Sequence, residues 1–444
     1  MRIIIAGDGE TGTYLAQMLS VENQDVVLMG TDKSRLDELD ASGNFMTFEG
    51  SPVSIENLTR CGAERADVFV AVTPDESVNI IACEMAKECG ARRCVARVDN
   101  PEFTLARVTA MLQHNGVDQI IIPEKVAAIE ASRFIEHSWV SEWVPFHRGT
   151  FFVVGIRMEA SGTLCGLYLR DIPSNPRKFH VAAIKRGNTI IIPRGDDMLL
   201  EGDTVYFSVL PENIGALPAL CGKDVTPTRR MMITGAGRVT ENLLELTDGK
   251  YNITVIDPDS SRCRTIAERF PDTVVINATA NDILTLKEEG IEKCDTFLAL
   301  TGSSETNIVS CMVAREHGVR RTLARIEELQ YIPEAQSLAI DKIINKKLLN
   351  TGKVLSTVLD TNSTTAQCLS LDKAEVTEIK ASPRSLIVSR PLSELSLPRG
   401  ITIAGLIRDG VGQLAVGQTQ IHPGDHVVVF SVSGSISKIE KIFR

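Results

Sequence analysis

Short apolar runs alternate with stretches of helical period along the first part of the chain. The runs are Ile3–Ala6, Val26–Met29, Phe45–Phe48, Val68–Val72, Cys94–Val98 and Gln119–Ile122. Continuous apolar runs of this length, bounded by turn residues, read as strands buried on both faces, as in a helix-covered parallel sheet. Between them lie segments such as Glu76–Lys87, with Val78, Ile81, Ala82 and Met85 spaced as one helical stripe. The alternation predicts a six-stranded Rossmann-type unit. The same order returns with Met231–Thr234, Ile253–Ile256, Val274–Ile276, Phe297–Leu300, Leu323–Ile326 and Lys342–Ile344.

After each unit the pattern changes. Phe151–Met158, Val181–Lys185, Thr189–Ile192 and Thr204–Val209 are strand-like, separated by turn signals at Arg186-Gly187-Asn188 and Glu201-Gly202-Asp203. Val376–Ile379, Ile401–Ile407 and His426–Val432 follow the second unit, with turns at Asp409-Gly410 and Pro423-Gly424-Asp425. The halves superpose at one register. A shift of 228 residues carries Ala71-Val72-Thr73-Pro74-Asp75-Glu76-Ser77-Val78-Asn79 onto Ala299-Leu300-Thr301-Gly302-Ser303-Ser304-Glu305-Thr306-Asn307, and carries Gly7, Gly9, Cys83 and Arg97 onto Gly235, Gly237, Cys311 and Arg325. The expected fold class is α/β, a tandem duplication of a Rossmann-type parallel-sheet domain plus a small α+β lobe. The boundaries read as 1–137 and 223–350 for the Rossmann domains and 138–222 and 351–444 for the lobes.

The first strand of each unit runs into a glycine loop. Gly7-Asp8-Gly9-Glu10-Thr11-Gly12 keeps three spaced glycines, whereas Gly235-Ala236-Gly237-Arg238-Val239-Thr240 has threonine third. Such glycines make the turn, let backbone approach a pyrophosphate and let helix and strand pack closely; they serve packing equally in a unit that holds no ligand. A carboxylate at the tip of the second strand ordinarily takes the ribose hydroxyls. The first half has Gly30 at that tip, with Asp32 two residues on as a ribose or helix-cap candidate; the second half has Asp257. Arg97 and Arg325, and Thr73-Pro74 and Thr301-Gly302, end strands at the carboxyl edge of each sheet, where ligands bind in such folds. Arg238 suggests that phosphate-rich ligands prefer the second loop, since Glu10 holds the equivalent place in the first.

The net charge of -10 argues against a nucleic-acid partner. The ten cysteines include no C-x-x-C pair, so no metal ligands are expected and the thiols read as reduced and mostly buried. The seven histidines fall into no catalytic arrangement repeated between the halves, and neither nucleophile elbow nor P-loop lysine is present. No catalytic residue is expected: nucleotide loops without acid–base machinery point to a sensor. An NAD(P)-dependent oxidoreductase is the alternative reading.

The order of domains resembles the tandem RCK (KTN) family of peripheral regulatory subunits of Trk-type bacterial and archaeal potassium uptake systems. The resemblance rests on MRIIIAGDGETG, AVTPDESVN, Val95-Ala96-Arg97, Ile122-Pro123-Glu124, ITGAGRVTENL, VIDPD, ALTGSSETNI and the stretch from Leu392 to Gly410. It implies a non-catalytic gating subunit, cytoplasmic and peripheral on the inner face of the membrane. It implies assembly into a homo-oligomeric ring, a dimer or tetramer of chains, on a Trk-type potassium-translocating membrane subunit. NAD(H) and ATP or ADP are the implied ligands. The sites would be Gly7, Asp8, Gly9, Glu10, Thr11 and Gly12 with Gly30, Asp32, Thr73, Pro74 and Arg97, and Gly235, Ala236, Gly237, Arg238 and Val239 with Asp257, Thr301, Gly302 and Arg325. The gating ring of another potassium channel or antiporter shares these features.

Overall fold

The computed structural model describes the chain except residues 22–23, 138, 174–177, 188, 224, 339, 360–363, 370–373, 396, 399, 433–441 and 444, and describes backbone alone at 21, 41–42, 148, 336, 355–359, 364–369 and 374–375. Asn188 of an expected turn, Ser396 and Arg399 of the Leu392–Gly410 stretch, and the Cys368 side chain therefore lie outside the described residues.

The first Rossmann segment contains β1 (Arg2–Ala6), α1 (Glu10–Val21), β2 (Asp25–Gly30), α2 (Lys33–Ser42), β3 (Met46–Glu49), α3 (Ile55–Cys61), β4 (Val68–Ala71), α4 (Glu76–Glu88), β5 (Arg93–Arg97), α5 (Ala106–His114), β6 (Gln119–Ile121) and α6 (Pro123–Glu136). The first lobe follows with β7 (Glu142–Phe146), β8 (Phe151–Arg157), β9 (Phe179–Arg186), β10 (Thr189–Ile191), β11 (Thr204–Val209) and α7 (Leu217–Cys221). The second Rossmann segment runs through β12 (Arg230–Thr234), α8 (Arg238–Thr247), β13 (Asn252–Asp257), α9 (Ser260–Arg269), β14 (Val274–Asn277), α10 (Ile283–Glu288), β15 (Thr296–Ala299), α11 (Ser304–Glu316), β16 (Arg321–Arg325), α12 (Ile332–Ser337), β17 (Lys342–Ile344) and α13 (Lys346–Leu359). The last lobe has β18 (Thr364–Leu369), β19 (Ala374–Lys380), β20 (Ile401–Arg408), β21 (Val411–Leu414) and β22 (His426–Val432).

Both Rossmann sheets are parallel, in the orders β3-β2-β1-β4-β5-β6 and β14-β13-β12-β15-β16-β17. The strand order reverses beside β1 and beside β12, which opens a crevice at the carboxyl ends of those strands. The lobe sheets are antiparallel, ordered β10-β9-β11-β8-β7 and β18-β19-β22-β20-β21. The three strands that the hydrophobic pattern does not announce, β7, β18 and β21, are all sheet edges. An edge strand is covered on fewer sides and tolerates residues a central strand rejects, such as Pro145 within β7.

Sequence neighbours do not all become spatial neighbours. The chain forms two compact units, Met1–Glu136 with Thr228–Leu355, and His137–Pro227 with Ser356–Arg444. In the first unit the two Rossmann segments exchange their last helices. Ala127, Ala128, Ala131, Phe134 and Ile135 of α6 pack into one core with Ile233, Val239, Leu243 and Val255 of the second segment. The alanines let the helices approach closely, and Lys342–Glu130 (2.9 Å) and Lys250–Glu136 (3.4 Å) tie the margins. In return, Asn350 and Val354 of α13 lie over Val70, Val72, Val95 and Ile121 of the first sheet.

The α4 stripe differs from its expected one. Asn79, Ala82, Cys83 and Ala86 face the sheet, while Ile81 is 45% exposed. Small residues let α4 lie close to the strands, and the buried amide has a specific task described below. Six of the nine described cysteines are buried, and burial pushes the Cys61 thiol up to about 11 and that of Cys221 up to about 12.

Candidate functional site

Each crevice is bounded by its glycine loop. Gly7 (φ +128°) and Gly235 (φ +103°) adopt backbone conformations that side chains disfavour. A Cβ on either would stand 3.0 Å or less from the chain at Val72–Thr73 or Leu300–Thr301, so each loop is seated against the end of the fourth strand. A Cβ on Gly12 would fall 1.9 Å from the Gly7 carbonyl oxygen. Thr240, the counterpart of Gly12, is buried and donates its hydroxyl to the Gly235 carbonyl. The threonine thus makes a hydrogen bond at the close approach that a glycine makes in the first loop. Gly9 and Gly237 are different: a Cβ on either would meet nothing within 4 Å. They present bare backbone at the amino ends of α1 and α8, where free N–H groups favour an anion. Val239, two residues after Gly237, is buried, and Thr11, two residues after Gly9, is half-buried and lines the first crevice.

The strand-tip acids resolve into a swap. A Cβ on Gly30 would lie 2.2 Å from Asp8 Oδ2, so the Asp8 carboxylate occupies the space a Gly30 side chain would fill. Asp8 Oδ2 accepts hydrogen bonds from the N–H groups of Thr31 and Asp32, both 3.1 Å. In the second half the acid comes from the strand. Asp257 Oδ2 accepts from the Ala236 N–H (2.7 Å) and Oδ1 from the Asp259 N–H (2.8 Å). Ala236 is the counterpart of Asp8. One carboxylate reaches from loop to strand, the other from strand to loop, so the first crevice does hold an acid at the tip of its second strand. Asp32 serves as the α2 cap, accepting from Arg35 N–H (3.2 Å).

Asn79 and Asn307 brace the crevices, a task that residue-type reasoning passes over. Asn79 Oδ1 accepts from the Thr73 N–H (2.8 Å) and hydroxyl (2.7 Å), and Nδ2 donates to the carbonyls of Thr73 (3.0 Å) and Arg97 (2.9 Å). Asn307 does the same for Thr301 (3.0, 2.7 and 3.0 Å) and Arg325 (2.7 Å). Each buried amide ties the ends of two strands beside the crevice and spends both its polar atoms doing so. The signal available was an asparagine repeated in register at the same place on α4 and α11. Pro74 and Gly302 are exposed just beyond these anchors.

The charges around the loops are arranged otherwise than their sequence positions suggest. Arg97 pairs with Asp99 at 3.2 Å, and Arg325 with Glu327. Glu10 is neutralised by Lys347 of α13, so it does not stand as a lone negative charge at the first loop. Arg238 does not fold back on its own loop: its guanidinium donates to the Asp99 carbonyl of the first segment (3.1 Å). The expected contrast between a repelling first loop and an attracting second is thereby weakened. Under α13 lies a small cavity reached by Thr11 and Arg97; Asn350 lines it and has a buried Oδ1 without a hydrogen-bond partner among the described residues. A bare helix terminus and a carboxylate at the second strand together fit a phosphate-and-ribose ligand. Among the described residues no helix is long and apolar enough to cross a membrane.

Two Rossmann-type units with open glycine loops at their switch points, each followed by an antiparallel lobe, define a duplicated nucleotide-fold protein. Comparison with known proteins gives the family. The TrkA-N domain matches residues 3–123 and 231–346, and the TrkA-C domain matches residues 153–222 and 376–444. The chain belongs to the TrkA family. It is 32% identical over 461 residues to the Trk system potassium uptake protein TrkA of Halomonas elongata, covering 100% of this chain and 99% of that one. It is 30% identical over 456 residues to a Trk system potassium uptake protein TrkA homolog of Methanosarcina mazei, covering 100% of both. Among solved structures, the GsuK channel bound to NAD superposes with a TM-score of 0.63 at 15% identity, covering 100% of this chain and 78% of that one. GsuK bound to ADP gives 0.51 at 13% identity over 81% and 69%.

Proposed function

We propose that this chain is the regulatory subunit of a Trk-type potassium uptake system, and that it senses the cell's nucleotides without transforming them. The observation that carries the reading is the pair of bare backbones at Gly9 and Gly237, each at a helix amino end and each beside a carboxylate, Asp8 or Asp257. A pyrophosphate there would accept from the loop N–H groups, and the carboxylate would hold ribose hydroxyls. NAD(H) and ATP or ADP are the ligands we assign, since relatives of this fold carry the names of NAD-bound and ADP-bound proteins. Thr73, Arg97, Thr301 and Arg325 border the crevices, held in place by the two asparagines.

The segments 1–137, 138–222, 223–350 and 351–444 then act as alternating nucleotide domains and lobes of a cytoplasmic ring docked on the membrane subunit. Ile81 and Val309, equivalent residues on α4 and α11, are 45% and 49% exposed and offer apolar contacts to further copies of the chain. The test is potassium flux in proteoliposomes holding the membrane subunit. Added protein should change the flux, and nucleotide should change it again. Flux indifferent to the protein, or sustained turnover of NADH by the protein with a panel of substrates, would overturn the reading.

A further inference from the structure

The second compact unit holds a cluster that the nucleotide reading does not use. His147, Glu378 and His426 bring one imidazole nitrogen, one carboxylate oxygen and a second imidazole nitrogen within 4.8 Å of one another. We propose that these three residues bind a divalent transition-metal ion of the zinc class, and that the ion fastens the first small lobe to the second.

The placement follows from strand register. Glu378 lies on β19 opposite Val428 of β22, so His426, two residues along β22, is its diagonal neighbour on the same face. His426 Nδ1 stands 2.7 Å from Glu378 Oε1. The third donor comes from the other lobe. His147 directly follows β7, in a turn where its own φ is +41° and that of Gly149 is +88°. Its Nδ1 lies 3.7 Å from the same Oε1. The two rings are 5.4 Å apart and inclined at 57°, which is no stacked pair. Donors around a tetrahedral ion at about 2.0–2.1 Å stand about 3.3 Å from each other, between the two distances found.

Charge points the same way. Glu378 is 5% exposed, and among the described residues its ion-pair partners are these two imidazoles, with neither lysine nor arginine. A buried carboxylate without a cation is costly, and an imidazole is a cation only when protonated. A divalent ion supplies the charge at neutral pH and uses the imidazoles as neutral donors. Two nitrogens and one oxygen suit zinc and its neighbours; calcium and magnesium prefer oxygen alone. Three protein donors leave a fourth position for water. The surroundings are built for a rigid site: Val144, Phe146 and Phe151 of the first lobe share one core with Val376, Val428 and Phe430 of the second. The inference is independent of nucleotide binding.

The experiment uses the full chain, stripped with a chelator and dialysed, then titrated with Zn²⁺ by calorimetry and with Co²⁺ by visible absorption. One ion should bind per chain, with a nitrogen- and oxygen-ligand spectrum, and Zn²⁺ should raise the unfolding temperature. Glu378→Gln and His426→Ala should each weaken binding by at least about tenfold. His147→Asn keeps a residue that accepts the left-handed backbone, sits on the more exposed histidine and should weaken binding equally, so loss of binding cannot be put down to misfolding. His114→Ala, at an exposed histidine far along the chain, should leave binding unchanged. Absence of binding at micromolar Zn²⁺ would overturn the proposal. So would a thiolate charge-transfer band that persists unchanged in the three variants, which would place the metal on cysteine.

Discussion

Asp8 and Asp257 bring a carboxylate to the same point of the fold from opposite sides, the first from the glycine loop and the second from the strand tip. The pair makes a swap experiment possible. Gly30→Asp alone should destabilise, because its Cβ would meet Asp8 Oδ2 at 2.2 Å and set two carboxylates against each other. Adding Asp8→Ala recreates the Ala236–Asp257 arrangement and should recover at least about 1 kcal/mol, a typical hydrogen-bond contribution. Thermal unfolding of the two variants decides it; a double variant no more stable than Gly30→Asp would refute the equivalence. Asn79→Ala strips partners from the Thr73 N–H and from two carbonyls at once. It should cost about 2–3 kcal/mol, as unsatisfied buried groups do, and Asn307→Ala should match it. Chemical denaturation reads both, and a cost under about 0.5 kcal/mol would deny the asparagines their bracing role. The glycines of the loops were legible in the sequence because backbone freedom leaves a residue-type mark. Asp8 stood in the expected loop site, but its reach to the tip of the second strand was not legible, since a carboxylate's position along the chain does not tell which way it reaches. Asn79 was not either, because the apolar stripe drawn through Val78 and Ile81 pointed one residue away from the face that is buried.

At the scale of elements, the lobes repeat a clasp. Arg186 donates from Nε and Nη2 to the Asp203 carboxylate (2.8 and 2.7 Å), and Arg408 does so to Asp425 (2.9 and 2.7 Å). Each aspartate sits in a turn that its sequence announces by glycine, yet each is buried and joins that turn to the far end of a neighbouring strand. Burial pushes both carboxyls up, but the guanidinium hydrogen bonds and a backbone N–H outweigh it and leave both below the ordinary value. A folded carboxyl that titrates below its unfolded value, about 3.9, binds fewer protons than the unfolded chain. Its stabilisation is complete above that value and is lost as pH falls through the lowered one. The lobes should therefore weaken as acid is added below about pH 4. Asp203→Asn or Asp425→Asn should cost about 1.5–3 kcal/mol near neutral pH and flatten this acid slope. Urea midpoints between neutral pH and about pH 3 measure it, and an unchanged slope in both variants would contradict the assignment. Central strands were legible because burial writes continuous apolar runs. The edges β7 and β21 were not, having too little burial to leave a pattern.

For the whole molecule, the sequence makes the duplication plain, since one register aligns Gly7, Thr73, Asn79 and Arg97 with their counterparts. It does not disclose the exchange of α6 and α13, because a helix's apolar stripe shows that it is buried without naming the sheet that buries it. The exchange places Lys347 against Glu10, and Arg238 of one loop against Asp99 of the other half. A ligand entering either crevice meets groups contributed by both Rossmann segments, which is an arrangement suited to coupling two sites. The central claim is that the crevices take nucleotides and perform no chemistry on them. Calorimetric titration of the full chain with NAD, NADH, ATP and ADP, repeated on Asp8→Ala and Asp257→Ala, tests it most directly. The account predicts saturable binding of at least one of the four, weakened by at least about tenfold in one variant or the other, as loss of about 1.4 kcal/mol requires. Silence for all four nucleotides, or binding untouched by both substitutions, would contradict it.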